Sequence, residues 1–322
     1  MRVSVATGCR LHLGFTNLSE DVGRCFGSIG VALDRPSCTV VLEDSDRPEI
    51  VSGDKEPIRA AVRRFSDFFG VEPRVSITVR ERIPEHVGLG SGTQLALALG
   101  AGLAAICGLD ADVRDVAWAL HRGRRSGIGI AAFRSGGLII DAGVTKGAAD
   151  HRGVPTVVWR HDFPADWCFV VAIPAEGEGL SGHSEEGVFA ALAPSVRISE
   201  EVCRLTQLAL MPALVERDIE AFGRALTAID RKTGAYFSEV QGGVYSCRET
   251  NQTIAAMLRA GALGAGQSSW GPAVYGLVHE SHLGQVEAAV RDFFRERGLG
   301  GSVFLGHGRN TRARVEVQRD AL

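Results

Sequence analysis

A turn of glycine and small polar residues carries the clearest chemical signal in the chain. Residues 83–107 read IPEHVGLGSGTQLALALGAGLAAIC, and the turn from Gly88 to Ser91 comes directly before a long apolar segment. Glycines allow positive φ and let the backbone approach a ligand closely. The free N–H groups and the positive dipole end of a following helix attract anions. We therefore predict a phosphate or pyrophosphate site built from Gly88, Gly90, Ser91, Gly92 and Thr93.

The turn lacks the lysine of the common phosphate-binding loop, whose pattern ends in Gly-Lys-Ser/Thr. The anion must then be held by backbone amides, by the hydroxyls of Ser91 and Thr93, by a metal ion or by arginines from elsewhere. Lys55, Lys146 and Lys232 are the only lysines among 35 basic residues. A GC-rich genome explains this bias, and the bidentate binding of phosphate and carboxylate by arginine is a second explanation.

The composition is that of a soluble globular protein. The 322 residues are 45% hydrophobic and 23% charged, enough for one large domain or two fused ones. The net charge of −3 provides no basic surface of the kind that binds nucleic acid. Seven widely spaced cysteines without a C-x-x-C pair argue against a zinc site and a disulfide framework. We find no signal-peptide pattern, and the apolar run Leu95–Ile106 is too short to span a bilayer, so we expect a cytoplasmic protein without a membrane partner.

The element pattern predicts an α+β protein in two halves packed as one unit, residues 1–162 and 163–322. In the first half we expect strands at residues 3–15, 28–33, 38–42 and 75–79, with a turn at Asp34–Pro36, and helices at residues 57–69 and 113–120. The stretch RSGIGIAAFRSGGLIIDAG reads as a glycine-rich loop followed by a strand. In the second half we expect helices at residues 198–214, 219–229, 246–260 and 282–297, a glycine loop before the last helix, and strands at residues 167–173, 302–304 and 313–317.

Three of these segments, in this order, resemble the motifs of the GHMP kinase superfamily. Residues 10–14 with 30–36 fall where its first motif lies, the turn from Gly88 to Ser91 matches its second, and Gly264 to Ser269 takes the place of its third. The resemblance implies a two-lobed α+β fold. Its N-terminal part would be like domain 2 of ribosomal protein S5, and its C-terminal part would be ferredoxin-like.

The chain departs from the kinase pattern at one position that matters for chemistry. In GHMP kinases a Ser-Gly-Ile-Asp loop often supplies the carboxylate that helps to deprotonate the acceptor hydroxyl. The corresponding residues here are Ser126, Gly127, Ile128 and Gly129, so the matching position has no side chain. Phosphoryl transfer of that kind would lack its base.

Six blocks together are similar to the beta-ribofuranosylaminobenzene 5'-phosphate synthases, which share the GHMP fold. These blocks are RLHLGF, GRCFGSIGVALDRP, GLGSGTQLALALG, RSGIGIAAFRSGGLIIDAG, GLSGHSEEG and GQSSWGPAVYGL. The resemblance implies a decarboxylating phosphoribosyltransferase at an early step of (tetrahydro)methanopterin biosynthesis. Phosphoribosyl pyrophosphate would condense with 4-hydroxybenzoate or 4-aminobenzoate and release CO2 and pyrophosphate. The resemblance also implies Mg²⁺ as cofactor and a homodimer.

Four residues in motif-like segments are candidates for recognising the aromatic carboxylate or for moving a proton: Arg10, His12, Arg24 and Arg125. Structural explanations compete with each catalytic role. His12 alternates with leucines and could be a strand histidine with satisfied hydrogen bonds, and Arg24 could be a solvated turn residue. Arg125 ends a run of cations that also contains Arg122 and Arg124, and such runs are usually solvated helix ends.

Further substrate-binding candidates lie outside the glycine turn: Ser126, Gly127, His183, Gln267, Ser268 and Ser269. The metal candidates are Thr93 and Glu185. The loop that carries His183 and Glu185 is interpreted either as a flap over the site or as an exposed acidic helix start. The segment Gln267–Ser269 is either a ligand-binding loop or a buried turn packed under the first glycine turn.

Two other functions remain open from the sequence. The first is an ATP-dependent small-molecule kinase of the same fold, which would need another base such as Asp141 or Glu176. The second is a non-catalytic ligand-sensing protein on a kinase-like scaffold, which the missing carboxylate at position 129 also fits.

Overall fold

Two β-sheets form the framework of the structure, a computed structural model that describes residues 1–145, 153–174 and 192–319. The strands are β1 (Arg2–Phe15), β2 (Arg24–Cys25), β3 (Ser28–Asp44), β4 (Glu49–Ser52), β5 (Val75–Glu81), β6 (Leu138–Asp141), β7 (Val144–Thr145), β8 (Val157–His161), β9 (Trp167–Ile173), β10 (Gly264–Gln267), β11 (Val274–His279), β12 (Ser302–His307) and β13 (Arg314–Gln318). The larger sheet has seven strands, with the path β13-β1-β3-β5-β4 and with β6 and β8 joined to it through β3.

The helices cover one face of the larger sheet and both faces of the smaller one. They are α1 (Lys55–Phe69), α2 (Ser91–Ile106), α3 (Val113–Ala119), α4 (Ile128–Ser135), α5 (Val196–Leu205), α6 (Met211–Glu216), α7 (Ile219–Gln241), α8 (Arg248–Arg259) and α9 (Leu283–Glu296). A π-helical segment, Thr206–Leu210, joins α5 to α6, and a 3₁₀ turn, Glu280–His282, precedes α9.

The long antiparallel pair β1–β3 is the backbone of the first half, and α2 lies across it. α2 is apolar around most of its circumference because its neighbours surround it. A Cβ at Gly102 would lie 2.3 Å from Leu42, and a Cβ at Gly100 would lie 2.3 Å from Val116, so these glycines allow close packing against β3 and α3. The buried Gln94 accepts a hydrogen bond from the Thr7 hydroxyl at 2.7 Å, which ties α2 to β1.

The second half contains a four-stranded sheet in the order β10-β11-β9-β12. One face packs against α8 and α9 in a separate apolar cluster that includes Met257, Val290 and Phe294. The other face packs with α7 and joins the core of the first half. The last strand, β13, returns to the larger sheet and pairs antiparallel with β1, so the chain crosses between the two halves more than once.

Three sequence expectations about elements are wrong. β3 runs unbroken through the expected turn at Asp34–Pro36, because the residues between Ala32 and Ser37 bulge outward opposite Cys9. The expected glycine-rich loop after residue 125 is the helix α4, whose small residues pack in the core. The glycine loop expected before the last helix is the strand β10, followed by a turn and β11. Its backbone is extended because it pairs antiparallel with β11.

Candidate functional site

A cleft of about 460 Å³ opens at the N-terminus of α2, where the sequence predicts an anion site. Its walls come from β1, α1, the segment before α2, the first turns of α2, the chain after α3, and the turn after β10. The residues that line it are Arg10, Pro57, Ala61, Glu85, His86, Gly88, Gly90, Ser91, Gly92, Thr93, Leu95, Ala96, Leu99, Arg122, Ser269 and Trp270. All five predicted residues of the glycine turn therefore lie in one cleft.

The backbone of the turn has a conformation that favours glycine at two positions. Gly88 and Gly90 have φ of 88° and 78°. A Cβ at Gly88 would lie 2.1 Å from the Ser268 carbonyl oxygen, so a larger residue there would displace the second turn. Gly90 is the N-cap of α2, and no side chain caps this helix. The positive end of α2 is therefore directed into the cleft, and no side chain among the described residues caps it.

Two arginines flank this helix end. Arg10 donates from Nη1 to the carbonyl oxygen of Gly88, and its side chain lies against Gly90, where a Cβ would be 3.1 Å from the Arg10 Cγ. Arg122 approaches from the other side, because a Cβ at Gly92 would lie 3.6 Å from the Arg122 Nη1. The cleft is therefore positively charged from three directions: the helix and both arginines.

Arg122 has the chemistry of a ligand-binding residue. Its Nε is buried and has no hydrogen-bond partner, and no acidic residue in the described ranges forms an ion pair with it. Burial, together with the nearby Arg64, lowers its pKa. Sequence reasoning missed Arg122 in favour of Arg125, although both belong to the same run of cations. Only the packing of α3 against α2 brings residue 122 to the cleft.

The position where kinases carry a carboxylate also lies beside the cleft. A Cβ at Gly129 would be 3.0 Å from Cγ2 of Thr93, so the two residues are in direct contact. Gln94 donates to the carbonyl oxygen of Gly129 at 2.8 Å and fixes this approach of α4 to α2. The glycine leaves room for Thr93 at the point where a longer side chain would enter the site.

The turn after β10 packs against the glycine turn and hydrogen-bonds to it. The Ser268 hydroxyl donates to the Gly88 carbonyl at 2.7 Å and accepts from the His12 N–H at 3.1 Å. The Gln267 amide donates to the Ser269 carbonyl and accepts from the Ser246 N–H. These contacts fit the buried-turn interpretation for Gln267 and Ser268, whereas Ser269 lines the cleft.

The other catalytic candidates lie outside the cleft lining. His12 is buried behind it, and burial together with Arg10 lowers its pKa to about 3, so its ring is neutral. Arg24 donates to the carbonyl oxygens of Ala142 and Gly143 at 2.9 and 3.0 Å, and these hydrogen bonds hold the turn between β6 and β7 in place. Arg125 precedes the α4 segment and does not reach the cleft surface.

Ser126 and Gly127 belong to the binding shell of a buried carboxylate. The Gly127 N–H donates to Asp141 Oδ2 at 2.8 Å, and the Ser126 hydroxyl also hydrogen-bonds to Asp141. Burial raises the pKa of Asp141 to about 7 against these hydrogen bonds, which lower it. Asp141 does not line the cleft, and its hydrogen bonds to Ser126 and Gly127 organise the start of α4.

Two predicted residues, His183 and Glu185, lie outside the described residues, as does Glu176. Within the described residues no group of three or more His, Cys, Asp or Glu side chains is placed to hold a metal ion. The carboxylate that lines the cleft, Glu85, is ion-paired with Arg82 at 2.9 Å. No helix among the described ranges has the length and apolarity to cross a membrane.

Models of two protein families match the chain. The family described as GHMP kinases N terminal domain matches residues 56–137, and the family described as GHMP kinases C terminal matches residues 210–296. The first match contains the glycine turn, α2 and α4, and the second contains α7 and α8.

Curated relatives match the chain over nearly its whole length. A beta-ribofuranosylphenol 5'-phosphate synthase of Methanothermobacter thermautotrophicus is 34% identical, with 95% of this chain and 96% of the relative covered. A protein of the same name from Archaeoglobus fulgidus is 31% identical, with 97% and 98% covered. A homoserine kinase of Methanocella arvoryzae is 26% identical, with 87% and 89% covered.

Solved structures share the fold at low sequence identity. A galactokinase of Lactococcus lactis, in complex with galactose, superposes with a TM-score of 0.71 at 14% identity, covering 97% of this chain and 95% of that one. A homoserine kinase of Cytophaga hutchinsonii gives a TM-score of 0.67 at 18% identity, covering 98% and 97%. The expected GHMP kinase-like α+β fold is confirmed, and so is the resemblance on which it rested.

Proposed function

Because the chain belongs to the family of the beta-ribofuranosylphenol 5'-phosphate synthases, we propose that it is a decarboxylating phosphoribosyltransferase. It condenses phosphoribosyl pyrophosphate with 4-hydroxybenzoate or 4-aminobenzoate at an early step of (tetrahydro)methanopterin biosynthesis. The relatives' names specify a phenol product, which favours 4-hydroxybenzoate. The observation that carries the proposal is the uncapped N-terminus of α2 between Arg10 and Arg122.

The reaction breaks and forms a balanced set of bonds. The bond between ribose C1 and the pyrophosphate oxygen breaks, and pyrophosphate leaves with that electron pair. The ring carbon that bears the carboxylate bonds to C1, and the electrons of the bond to the carboxylate return to the ring as CO2 departs. Negative charge develops on the leaving pyrophosphate, so preorganised positive charge lowers the barrier most at that position.

The residues of the cleft supply this positive charge. We assign this role to the backbone N–H groups at the start of α2, to the Ser91 and Thr93 hydroxyls and to the Arg122 guanidinium, all on residues that line the cleft. Arg10 closes the opposite side while it fixes the turn through Gly88. Neither arginine is on α2, so the anion is held between separate elements.

The geometry favours this reaction over phosphoryl transfer from ATP. GHMP kinases often supply a carboxylate that helps to deprotonate the acceptor hydroxyl, and the matching position 129, in contact with Thr93, has no side chain. Of the two alternative bases, Asp141 is buried and accepts hydrogen bonds from Gly127 and Gly143, and Glu176 lies outside the described residues. Glu85 is exposed and paired with Arg82.

We propose that Mg²⁺ enters as the complex with phosphoribosyl pyrophosphate. The described residues offer hydroxyl ligands and no carboxylate cluster, which suits an ion held mainly by phosphate oxygens and water. When bound, Mg²⁺ would neutralise charge on the pyrophosphate. Ligation by Thr93 and by Glu185 stays a prediction.

The decisive experiment measures CO2 release. The protein is incubated with phosphoribosyl pyrophosphate, Mg²⁺ and carboxyl-labelled 4-hydroxybenzoate or 4-aminobenzoate. We expect labelled CO2 and pyrophosphate in equal amounts, and none when ATP replaces phosphoribosyl pyrophosphate. No CO2 from either acid would contradict the proposal.

A cytoplasmic homodimer is also proposed, and it rests on the family resemblance. Sedimentation equilibrium of the full chain tests the oligomeric state, with one species of twice the 34.2 kDa chain mass expected.

A further inference from the structure

A second, narrower cavity lies on the other side of the Ser269–Trp270 segment from the cleft. It has a volume of about 30 Å³ and sits between the end of β1, the middle of α7 and the turn after β10. Ser269 and Trp270 line both cavities. We call this cavity the crevice; its polar lining residues are His12, Asp230, Thr233, Gln241, Tyr245, Gln267 and Ser269.

Two polar atoms that belong to lining residues of the crevice are buried without a hydrogen-bond partner. They are Nε2 of His12 and Oγ1 of Thr233. Buried polar atoms in proteins are nearly always hydrogen-bonded, and an unpaired one costs about 1–3 kcal/mol. His12 is only 4% exposed, so solvent does not satisfy its ring. Both atoms are on residues that line one cavity, and a polar group entering that cavity could satisfy them.

The third polar group of the crevice, Asp230, is held by its neighbours. Its carboxylate accepts from the Gln267 N–H at 2.8 Å and from the Tyr245 hydroxyl at 3.0 Å. Burial raises its pKa to about 7, while these hydrogen bonds and the adjacent Arg231 oppose the shift. Asp230 therefore faces the crevice in a fixed position beside Thr233, one turn of α7 away.

The remaining walls are aromatic. Phe237 packs edge-on against Trp270 at 4.5 Å and against Phe15 at 5.8 Å, and Phe15 contacts the His12 ring at 4.6 Å between centroids. No arginine or lysine is among the described residues that line the crevice. A carboxylate would meet Asp230 there without a cation, whereas a neutral hydroxyl can both donate and accept.

We propose that the crevice binds the para-hydroxyl group of the aromatic acceptor, with Thr233 and His12 as its hydrogen-bond partners. The ring then lies across Ser269 and Trp270, and the carboxylate carbon points into the cleft towards Arg10 and the pyrophosphate. A space of this size holds a hydroxyl group and no complete ring, which sets the direction in which the acceptor binds. The inference rests on the proposed function and adds an acceptor orientation to it.

Thr233→Val tests the orientation, since it replaces one hydroxyl by a methyl group of similar size. Binding of 4-hydroxybenzoate and of benzoate is measured by calorimetry in the presence of Mg²⁺ and pyrophosphate. The wild type should bind 4-hydroxybenzoate more tightly. Thr233→Val should weaken 4-hydroxybenzoate roughly three- to tenfold and leave benzoate and pyrophosphate unchanged.

A matched control is Thr253→Val. Thr253 is a fully buried helix threonine whose hydroxyl donates to the Glu249 carbonyl in α8, outside the crevice lining. It should leave the ratio of the two affinities at the wild-type value. His12→Phe keeps a ring beside Phe15 and removes Nε2, so it provides a second variant that should also reduce the ratio.

The outcomes separate the two proposals. If the wild type releases CO2 but neither variant changes the affinity ratio, the orientation is wrong and the proposed function stands. A loss of benzoate and 4-hydroxybenzoate affinity by the same factor also overturns the orientation, because the hydroxyl would then play no part. If the wild type releases no CO2 from either acid, the proposed function fails, and the inference fails with it.

Discussion

Arg122 occupies a position in the cleft that costs stability when no anion is bound. A cation beside the positive end of a helix is unfavourable, and Arg64 adds repulsion. Its buried Nε has no partner in the described structure. An anion in the cleft would offset the repulsion from the helix end and from Arg64, and it would accept a hydrogen bond from the unpaired Nε. We therefore assign Arg122 to the pyrophosphate.

We expect Arg122→Met to weaken pyrophosphate binding roughly 10- to 100-fold, because charge-assisted hydrogen bonds contribute about 1.5–3 kcal/mol. The same variant should unfold at a higher denaturant concentration than the wild type without ligand, since the unpaired charge is gone. Calorimetry and urea unfolding provide the two measurements. Arg124→Met removes an exposed arginine of the same run and should change neither; wild-type affinity in Arg122→Met would refute the assignment.

His12 predicts a specific pH dependence of stability. Its pKa in the fold, about 3, lies below the ordinary value of 6.5 because of burial and Arg10. Above pH 6.5 the His12 ring is neutral in both the folded and the unfolded state, and its contribution to the free energy of unfolding is fully present. As the pH falls from 6.5 towards 3, only the unfolded state gains the proton, so stability is lost by up to about 1.4 kcal/mol per pH unit.

In His12→Gln this loss should be absent. The difference in unfolding free energy between wild type and variant should therefore shrink as the pH is lowered from 7 to 5. Urea unfolding at several pH values measures it, and titratable groups far from residue 12 cancel in the difference. A difference that stays constant with pH would contradict a neutral, buried His12.

At the scale of elements, the local sequence predicts the N-terminus of α2 more directly than any other part of the cleft. Gly90 caps the helix without a side chain, and Gly92 is exposed in its first turn. A carboxylate at position 92 would combine with the helix dipole and with Arg122, whose Nη1 lies 3.6 Å from the position of a Cβ there.

The carboxylate of Gly92→Asp should therefore occupy the position that we assign to the bound anion. Relative to Gly92→Asn, which has the same size and no charge, it should raise the unfolding free energy by about 0.3–1 kcal/mol. It should also weaken pyrophosphate binding by more than roughly tenfold. Thermal unfolding and calorimetry on both variants test this, and equal pyrophosphate affinity in the two would place the anion elsewhere.

At the scale of the whole molecule, the two halves share one core. The main apolar cluster combines β1, β3 and α2 with Phe169, Phe222 and Tyr275 of the second half. β13 pairs with β1 through residues 2–6 and 314–318. The division at residue 162 remains a prediction, and the shared core argues that neither half is independent.

We expect residues 1–162 expressed alone to unfold without a cooperative transition, because the face that packs on β9 and α7 would be exposed. Circular dichroism during urea titration measures this. Mixing with separately produced residues 163–322 should restore a cooperative transition and pyrophosphate binding. A cooperative transition in the isolated first half would show that the boundary marks an autonomous domain.

The sequence predicted the elements whose signal is local. The glycine turn follows from the spacing of its glycines, and α1 follows from the 3.6-residue periodicity of its apolar residues. α4 was missed because Gly127, Gly129 and Gly136 in and beside it have low helix propensity, and tertiary packing overrides that preference. The break expected at Asp34–Pro36 was wrong because a bulge lets the chain pass a proline without leaving the sheet.

The sequence by itself predicted an anion site at the glycine turn, and it determined the absence of a carboxylate at Gly129 and the family, since each depends on residue types at short spacing. Only the tertiary structure decided that Arg122 enters the cleft in place of Arg24 or Arg125, and that Ser268 supports the turn from below. It also decided that His12 and Thr233 share one buried crevice. The physical reason is that backbone conformation is set by neighbours along the chain, whereas burial, charge and unpaired hydrogen-bonding groups are set by residues far apart in sequence that pack together.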